Sequence, residues 1–205
     1  MEIESYQTVK ERAVVEIVIR KSRFISAVAP ITTEVDAARF VSEIKAVHKE
    51  ANHNVWAWVV DERQMRCSDD GEPSGTAGRP VLEVIQRKGL VQIAMVVTRY
   101  FGGILLGAGG LVRAYSQAAQ EVIAAAGIQL VQLYRVIEIV VDYSISSQIK
   151  YYLEQQPVQK LMVDYGEKVV FHVCCLPQEL EALTYTLGEM TGGRVELLQR
   201  EDCYL

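Results

Sequence analysis

At 205 residues, half of them apolar, the chain is long enough to bury a core without covalent cross-links. Its net charge of −5 at pH 7 excludes the strongly basic composition that is typical of nonspecific nucleic-acid binding. The excess acid lies in residues 131–205, which carry 6 basic and 11 acidic side chains, whereas residues 1–130 carry 15 of each. Any RNA contact must therefore be a local patch in the first part of the chain.

The sequence also argues against a membrane or secreted protein. No segment reaches the roughly 18 uninterrupted apolar residues of a membrane helix, and the first 16 residues contain acids where a signal peptide has a basic flank. The four cysteines show neither a CxxC pair nor metal-type spacing, so a disulfide framework is not expected. We therefore expect a cytoplasmic protein without a membrane partner.

The first third of the chain mixes strands with one helix. Alternating apolar residues predict a hairpin of two strands, at about 15–19 and 24–28, that turns at residues 20–23. Apolar residues at helical spacing predict an amphipathic helix over 35–48. The run VWAWVV predicts a strand over 55–60.

The next segment, CSDDGEPSGTAGRP at 67–80, is too rich in Gly, Pro, Ser and Asp to form regular structure. A short helix over 80–88 follows, with proline at its first position. A β-branched, mostly apolar run predicts a central strand over 90–98, and an apolar stripe predicts a helix over 111–126 that ends at Gly127.

A domain boundary is expected within 128–134, which divides the chain into domains 1–130 and 131–205. The predicted elements of the second domain are a strand at 136–141, a helix at 146–155, a hairpin at 160–164 and 168–176, a helix at 178–190 and a strand at 194–199. This order, βαββαβ, is the ferredoxin-like plan. We therefore expect an α+β protein of two domains.

Residues 99–115, RYFGGILLGAGGLVRAY, place five glycines between the central strand and the long helix. Backbone N–H groups at a helix N-terminus can bind an anion, and Arg99 and Arg113 could add charge-assisted hydrogen bonds. Neither nucleotide fingerprint is complete, because Ala108 and Gly109 replace the Lys and Ser or Thr of a P-loop and GAGGLV lacks the last glycine of GxGxxG. The alternative is that the glycines only provide left-handed corners and close packing.

A second polar cluster comprises His48, His53, Asp69, Asp70 and Glu72, which could bind a metal or perform acid–base chemistry. The spacing of the two histidines does not suit one helix face, His48 suits a helix C-terminus, and acids beside Gly and Pro are common turn formers. The histidines are thus weak metal candidates. Because no nucleophile has a placeable base, we expect no catalytic residue and no cofactor.

Three segments resemble the signature blocks of the IMPACT/YigZ family: HKEANHNVWAW at 48–58, SDDGEPSGTAGRP at 68–80 and VVTRYFGGILLGAGGLVRAYSQAA at 96–119. The resemblance is strong over about residues 8–127, and the remainder is similar to the small ferredoxin-like domain of bacterial members. It implies that the first domain has the fold of a small-subunit ribosomal protein and of domain IV of elongation factor G, and that the second resembles domain V of that factor. It also implies a role near translation.

Two functional hypotheses follow. The first is a nonenzymatic, translation-associated binding or regulatory protein that contacts RNA, the ribosome or a protein partner through exposed loop amides and guanidinium groups. Its predicted binding residues are Asp69, Asp70, Gly71, Glu72, Arg99, Tyr100, Gly102, Gly103, Gly107, Gly109, Gly110 and Arg113. The second is a small-molecule enzyme of phosphotransferase type that uses the glycine-rich loop as an anion site, because sugar and mevalonate-type kinases share a fold related to the one that the resemblance implies and also run a glycine-rich loop into a helix.

Overall fold

The computed structural model describes residues 5–205, which form a mixed α+β structure, as predicted. The chain divides into two compact units, Tyr6–Leu130 and Val131–Leu205, and the second of these also includes Ser5. Within the described residues, no helix is both long and apolar enough to cross a membrane.

The first unit is built around an antiparallel sheet. Its elements are β1 (Ser5–Val9), β2 (Ala13–Ile19), β3 (Ser22–Pro30), α1 (Glu34–Val47), β4 (His53–Val59), β5 (Met65–Ser68), α2 (Gly78–Arg87), β6 (Ile93–Tyr100) and α3 (Ala108–Ala126). The sheet has the order β2-β3-β6-β4-β5, so β6 is its central strand. The short strands β1 and β5 were not expected from the sequence, whereas the helices lie within a few residues of their predicted positions.

Both faces of this sheet are covered by helices. Alternate residues of β6 enter two different cores: Ile93, Met95 and Val97 pack with α2 and α3, whereas Ala94 and Val96 pack with α1. This alternation follows from the two-residue period of a strand.

The central strand is longer than the sequence predicted. The prediction ended it at residue 98 and assigned Arg99 and Tyr100 to the loop, but both residues pair with β3, at Phe24 and Arg23. Arg99 also pairs with His53 of β4. Cross-strand pairing on both sides therefore makes Arg99 part of the sheet, in one row with Phe24 and His53.

The second unit has the predicted element order. After β7 (Ile128–Val141), which runs through the segment where a boundary was expected, it contains α4 (Tyr143–Glu154), β8 (Lys160–Tyr165), β9 (Val169–Cys175), α5 (Pro177–Thr191), β10 (Glu196–Gln199) and β11 (Cys203–Tyr204). The strands are ordered β8-β9-β7, and β10 and β11 both pair with β7. The final strand, β11, was not predicted. No disulfide joins any of the four cysteines, all of which lie within the described residues.

Candidate functional site

Arg99 lies near the end of the central strand with its side chain inside the protein. It continues the inward row of alternate β6 residues, and its side chain is 7% exposed. Its Nη1 donates to Glu72 Oε1 at 2.7 Å and its Nη2 to Ser22 Oγ at 3.4 Å. The expectation that this guanidinium faces solution is therefore wrong, because the strand period directs it toward α3 and a buried carboxylate pairs with it.

Glu72 completes a buried polar group with Arg99 and Tyr115. Its side chain is 3% exposed, and its Oε1 accepts hydrogen bonds from Arg99 and, at 2.8 Å, from the Tyr115 hydroxyl. Burial, together with the neighbouring Glu72 carboxylate, raises the pKa of Tyr115 far above its ordinary value, so the hydroxyl remains a donor. Glu72 thus lies inside the protein, where it compensates the charge of Arg99.

Asp69 is occupied by the backbone that follows it. Its two carboxylate oxygens accept from the N–H groups of Gly75, Ala77 and Gly78 at 2.8, 3.0 and 2.8 Å, which gives α2 an acceptor at its N-terminus. Burial acts to raise the pKa of Asp69, but these three donors outweigh it and hold the pKa below its usual value. The side chain therefore orders the loop before α2.

Asp70 links three parts of the first unit. Its Oδ1 accepts from Lys45 Nζ at 2.7 Å and its Oδ2 from the Asn54 backbone N–H at 2.7 Å. Burial opposes these contacts, yet the Lys45 and Asn54 donors lower the pKa of Asp70 overall. Its carbonyl oxygen lies 2.9 Å from His53 Nδ1, and because a carbonyl only accepts, that nitrogen carries the hydrogen. Gly71 follows with φ +88° and lies against the same imidazole.

His48 and Tyr100 form a contact of their own, separate from the contacts of His53. His48 caps the C-terminus of α1 through its backbone N–H, and its Nδ1 lies 3.1 Å from the Tyr100 hydroxyl. The Arg23 guanidinium lies over the Tyr100 ring, 5.5 Å from its centroid. Within residues 5–205, no group of three or more His, Cys, Asp and Glu side chains is arranged to hold a metal ion.

Gly102 is required by close packing. A Cβ at this position would lie 2.0 Å from the carbonyl carbon of Lys21, in the turn between β2 and β3. The Gly102 N–H also donates to Ser22 Oγ at 3.2 Å. This glycine fits the structural alternative that the sequence left open, since only a residue without a side chain lets the two segments meet.

The remaining glycines of the loop lie at the start of α3. Gly107 is the N-cap residue with φ +70°, Gly109 and Gly110 lie in the first turn, and Gly103 is exposed with φ +83°. The leading N–H groups of an α-helix have no acceptor within the helix. At the start of α3 neither a capping side chain nor an acidic residue of the first turn replaces that acceptor. Arg113 is exposed one turn further along the helix.

Exposed cations and apolar side chains surround this helix start, and we call this surface the loop face. Its cations are Arg20, Lys21 and Arg113, and its exposed apolar side chains are Phe101, Ile104 and Leu105. None of the three cations makes an ion pair with another residue of the described range 5–205. A shallow depression of about 280 Å³ lies between Arg20 and Arg113.

A larger pocket of about 410 Å³ opens on the other side of Leu106, and we call it the Glu72 pocket. It is lined by both loops and by the start of α3, through Asn52, His53, Glu72, Arg99, Phe101 and Ala108 among others. Its walls are mainly apolar, and its polar side chains are those of Asn52, His53, Glu72 and Arg99. The sequence-predicted residues Glu72, Arg99 and Gly107 therefore meet at one pocket.

The predicted binding residues did not include Arg20, Lys21 and Phe101 of the loop face, Asn52 of the Glu72 pocket, or the buried Tyr115. Arg20 and Lys21 carried a usable signal, because two cations form the predicted turn of a hairpin and are necessarily at the surface. Phe101 and Tyr115 lie within the glycine-rich segment 99–115. Nothing in the sequence alone connects Tyr115 with Glu72, which is 43 residues away.

Comparisons with known proteins cover both units. A family model described as the Impact N-terminal domain matches residues 20–123, and one described as a domain of unknown function, DUF1949, matches residues 139–194. The chain is 40% identical to "IMPACT family member YvyE" of Bacillus subtilis over 99% of this chain and 94% of that protein. It is 35% identical to "IMPACT family member YigZ" of Escherichia coli over 90% of this chain and 92% of that protein.

Two further similarities differ in extent. "Protein IMPACT" of Homo sapiens is 30% identical over 43% of this chain and 29% of its own length. A solved structure named "Crystal structure of an hypothetical protein" is 32% identical, with a TM-score of 0.64 over 98% of this chain and 99% of that one. The likeness to the bacterial proteins therefore extends over both units, whereas the match to the human protein covers less than half of the chain.

Proposed function

The chain belongs to the IMPACT family, and from that premise we propose that it is a nonenzymatic, translation-associated regulatory protein whose loop face binds RNA on or near the ribosome. Membership of a family that includes the eukaryotic IMPACT proteins supports a translation-related regulatory role. The expected likeness of the first unit to a small-subunit ribosomal protein and to domain IV of elongation factor G remains a prediction that favours the same setting.

The observation that carries the proposal is the set of three exposed cations around the start of α3. Arg20, Lys21 and Arg113 have no acidic partner in the described chain, and the exposed N–H groups of the helix start lie among them. Exposed cations contact phosphates, and helix N-termini contribute donors to the same anions. The exposed ring of Phe101 adds a surface on which a base can stack.

Local charge favours RNA over a protein partner at this surface. No acidic residue occurs at 17–33 or at 84–120, the two segments that supply the loop face. The potential there is therefore positive although the chain as a whole is acidic. A polyanion gains from such a patch, while the acidic second unit repels it and leaves the first unit as the contact.

The test compares charge removal on the loop face with the same charge removal elsewhere. We expect Arg20→Ala/Arg113→Ala to weaken cosedimentation with ribosomes and to lower the slope of log affinity against log salt by about 2, one for each lost phosphate contact. The matched control is Arg39→Ala/Arg63→Ala, which removes two exposed arginines outside the loop face.

Equal binding of the two double variants would contradict the proposal. A capture from cytosol with and without ribonuclease separates the two classes of partner. If the proposal is correct, ribonuclease releases the captured material, whereas a partner that remains bound after digestion indicates a protein contact.

A further inference from the structure

The Glu72 pocket has two hydrogen-bond acceptors that the protein itself leaves open. Glu72 Oε1 is occupied by Arg99 and Tyr115, but Oε2 accepts no hydrogen bond from any described residue. His53 Nδ1 donates to the Asp70 carbonyl, so in the neutral ring Nε2 presents a lone pair. Oε2 and Nε2 lie 3.8 Å apart: with the ring protonated they form an ion pair, and with the ring neutral both are acceptors, which is the form that the inference uses.

This pair of acceptors requires a ligand with two adjacent donors. The charge of Glu72 is already compensated by Arg99 at 2.7 Å, so the pocket does not need a cation. Guanine carries neighbouring N–H donors, N1–H and the N2 amino group, on its Watson–Crick edge. Adenine, cytosine and uracil have no two adjacent donors on that edge, so with these bases at least one of the two protein acceptors would lack a hydrogen.

The walls of the pocket suit a flat ring. The Phe101 ring lies at the mouth, 45% exposed, with the Arg99 guanidinium 5.5 Å from its centroid, and leucines of the loop line the adjoining wall. Asn52 Oδ1 accepts from the Phe101 N–H at 2.8 Å, which turns its NH₂ group into the available donor for the guanine O6. A volume of about 410 Å³ accommodates one base with its sugar.

We propose that the Glu72 pocket binds a single unstacked guanine base of the RNA held by the loop face. Glu72 Oε2 and His53 Nε2 accept from the N1–H and N2 amino groups, and Phe101 provides a stacking surface. This inference rests on the proposed RNA-binding function, because the loop-face cations hold the phosphates next to the pocket. It adds base selectivity to a contact that is otherwise independent of sequence.

The first experiment measures fluorescence anisotropy with labelled hexanucleotides that differ at one position. Uridine hexamers carry a single guanine, inosine or adenine. We expect guanine to bind roughly tenfold more tightly than adenine, with inosine between them because it lacks only the N2 amino group, the size of effect expected for a bidentate contact to a base edge. Equal affinity of the three hexamers would overturn the proposal.

Variants then assign the selectivity to the pocket. His53→Phe removes one acceptor at similar volume and should lower the affinity for the guanine hexamer to that for the adenine hexamer. Phe101→Ala removes the stacking ring and should have the same effect. His172→Phe, in the second unit, is the matched control and should retain the preference. A guanine preference that survives His53→Phe and Phe101→Ala would overturn this assignment.

The outcomes separate this inference from the function on which it rests. If all hexamers bind equally and Arg20→Ala/Arg113→Ala weakens them all, the loop face binds RNA and the guanine pocket is wrong. If no hexamer binds while ribosome cosedimentation still depends on Arg20 and Arg113, only the guanine inference fails; if cosedimentation does not depend on them either, both proposals fail. Competition by Nα-acetylarginine amide, but not by guanosine, would show that the two acceptors bind a protein guanidinium and would also overturn the inference.

Discussion

The two loops that line the Glu72 pocket use their side chains in opposite ways. Residues 69–77, the acidic loop, contain three carboxylates, and each of them accepts hydrogen bonds from the chain itself. Residues 101–107 contain no charged side chain, yet they are largely exposed, and Leu105 is 82% exposed. The difference shows that the polar residues beside Gly and Pro mainly hold the fold together, with Glu72 Oε2 left over, while the less polar loop is exposed along most of its length.

We expect the largest effect from removal of the buried carboxylate of the acidic loop, which tests whether the side chains of this loop stabilise the fold. Glu72→Ala leaves the Arg99 guanidinium buried without its partner, and the Tyr115 hydroxyl loses its acceptor. We expect a loss of about 3–5 kcal/mol in the free energy of unfolding, as for other broken buried ion pairs. Urea denaturation measures it, with the exposed Glu62→Ala as control; a loss below about 1 kcal/mol would contradict internal use of Glu72.

A second test separates the glycines that serve packing from those that leave the backbone open. Gly102→Ala places a methyl group 2.0 Å from the backbone of Lys21, so we expect a loss of about 1–3 kcal/mol from overpacking. Gly109→Ala meets only the Arg113 side chain, at 3.6 Å, and should be neutral or stabilise the protein by up to about 1 kcal/mol through helix propensity. Thermal unfolding measures the melting temperatures of the two variants, and equal shifts in both would refute the distinction.

A third test lowers the pH to protonate Asp69 and Asp70 of the acidic loop. The pKa values of Asp69 and Asp70 are lowered in the folded protein, so their stabilising contribution is present above the pKa values of the unfolded chain. It is lost as the pH falls through the lower, folded values. Asp69→Asn should cost about 1 kcal/mol at neutral pH, as for loss of a helix cap, and less at low pH. The melting temperatures of the parent protein and of Asp69→Asn should approach each other between about pH 7 and about pH 2. A difference in melting temperature that stays constant over this range would contradict the prediction.

The periodicity of the sequence predicted α1 and α3 well because each has a long apolar stripe; α1, predicted over 35–48, is observed at Glu34–Val47. The burial of Arg99 also follows from the sequence once the inward row Ile93, Met95, Val97 is extended by one more step. Its partner could not be predicted in this way. Glu72 comes from an irregular loop 27 residues away, whose path is determined by the hydrogen bonds of Asp69 and Asp70, and no local pattern encodes such a path.

The smallest expected effect on stability, at Arg113, gives the sharpest contrast between folding and binding. Arg113 is exposed and makes no ion pair within the described range, so Arg113→Ala should change the free energy of unfolding by no more than about 0.5 kcal/mol. The same change should lower the salt slope of RNA binding by about 1, since one phosphate contact is lost. Denaturation and anisotropy on the same preparation test both statements together. A destabilised variant with unaltered RNA affinity would reverse the assignment, because Arg113 would then serve the fold in the way that Glu72 does.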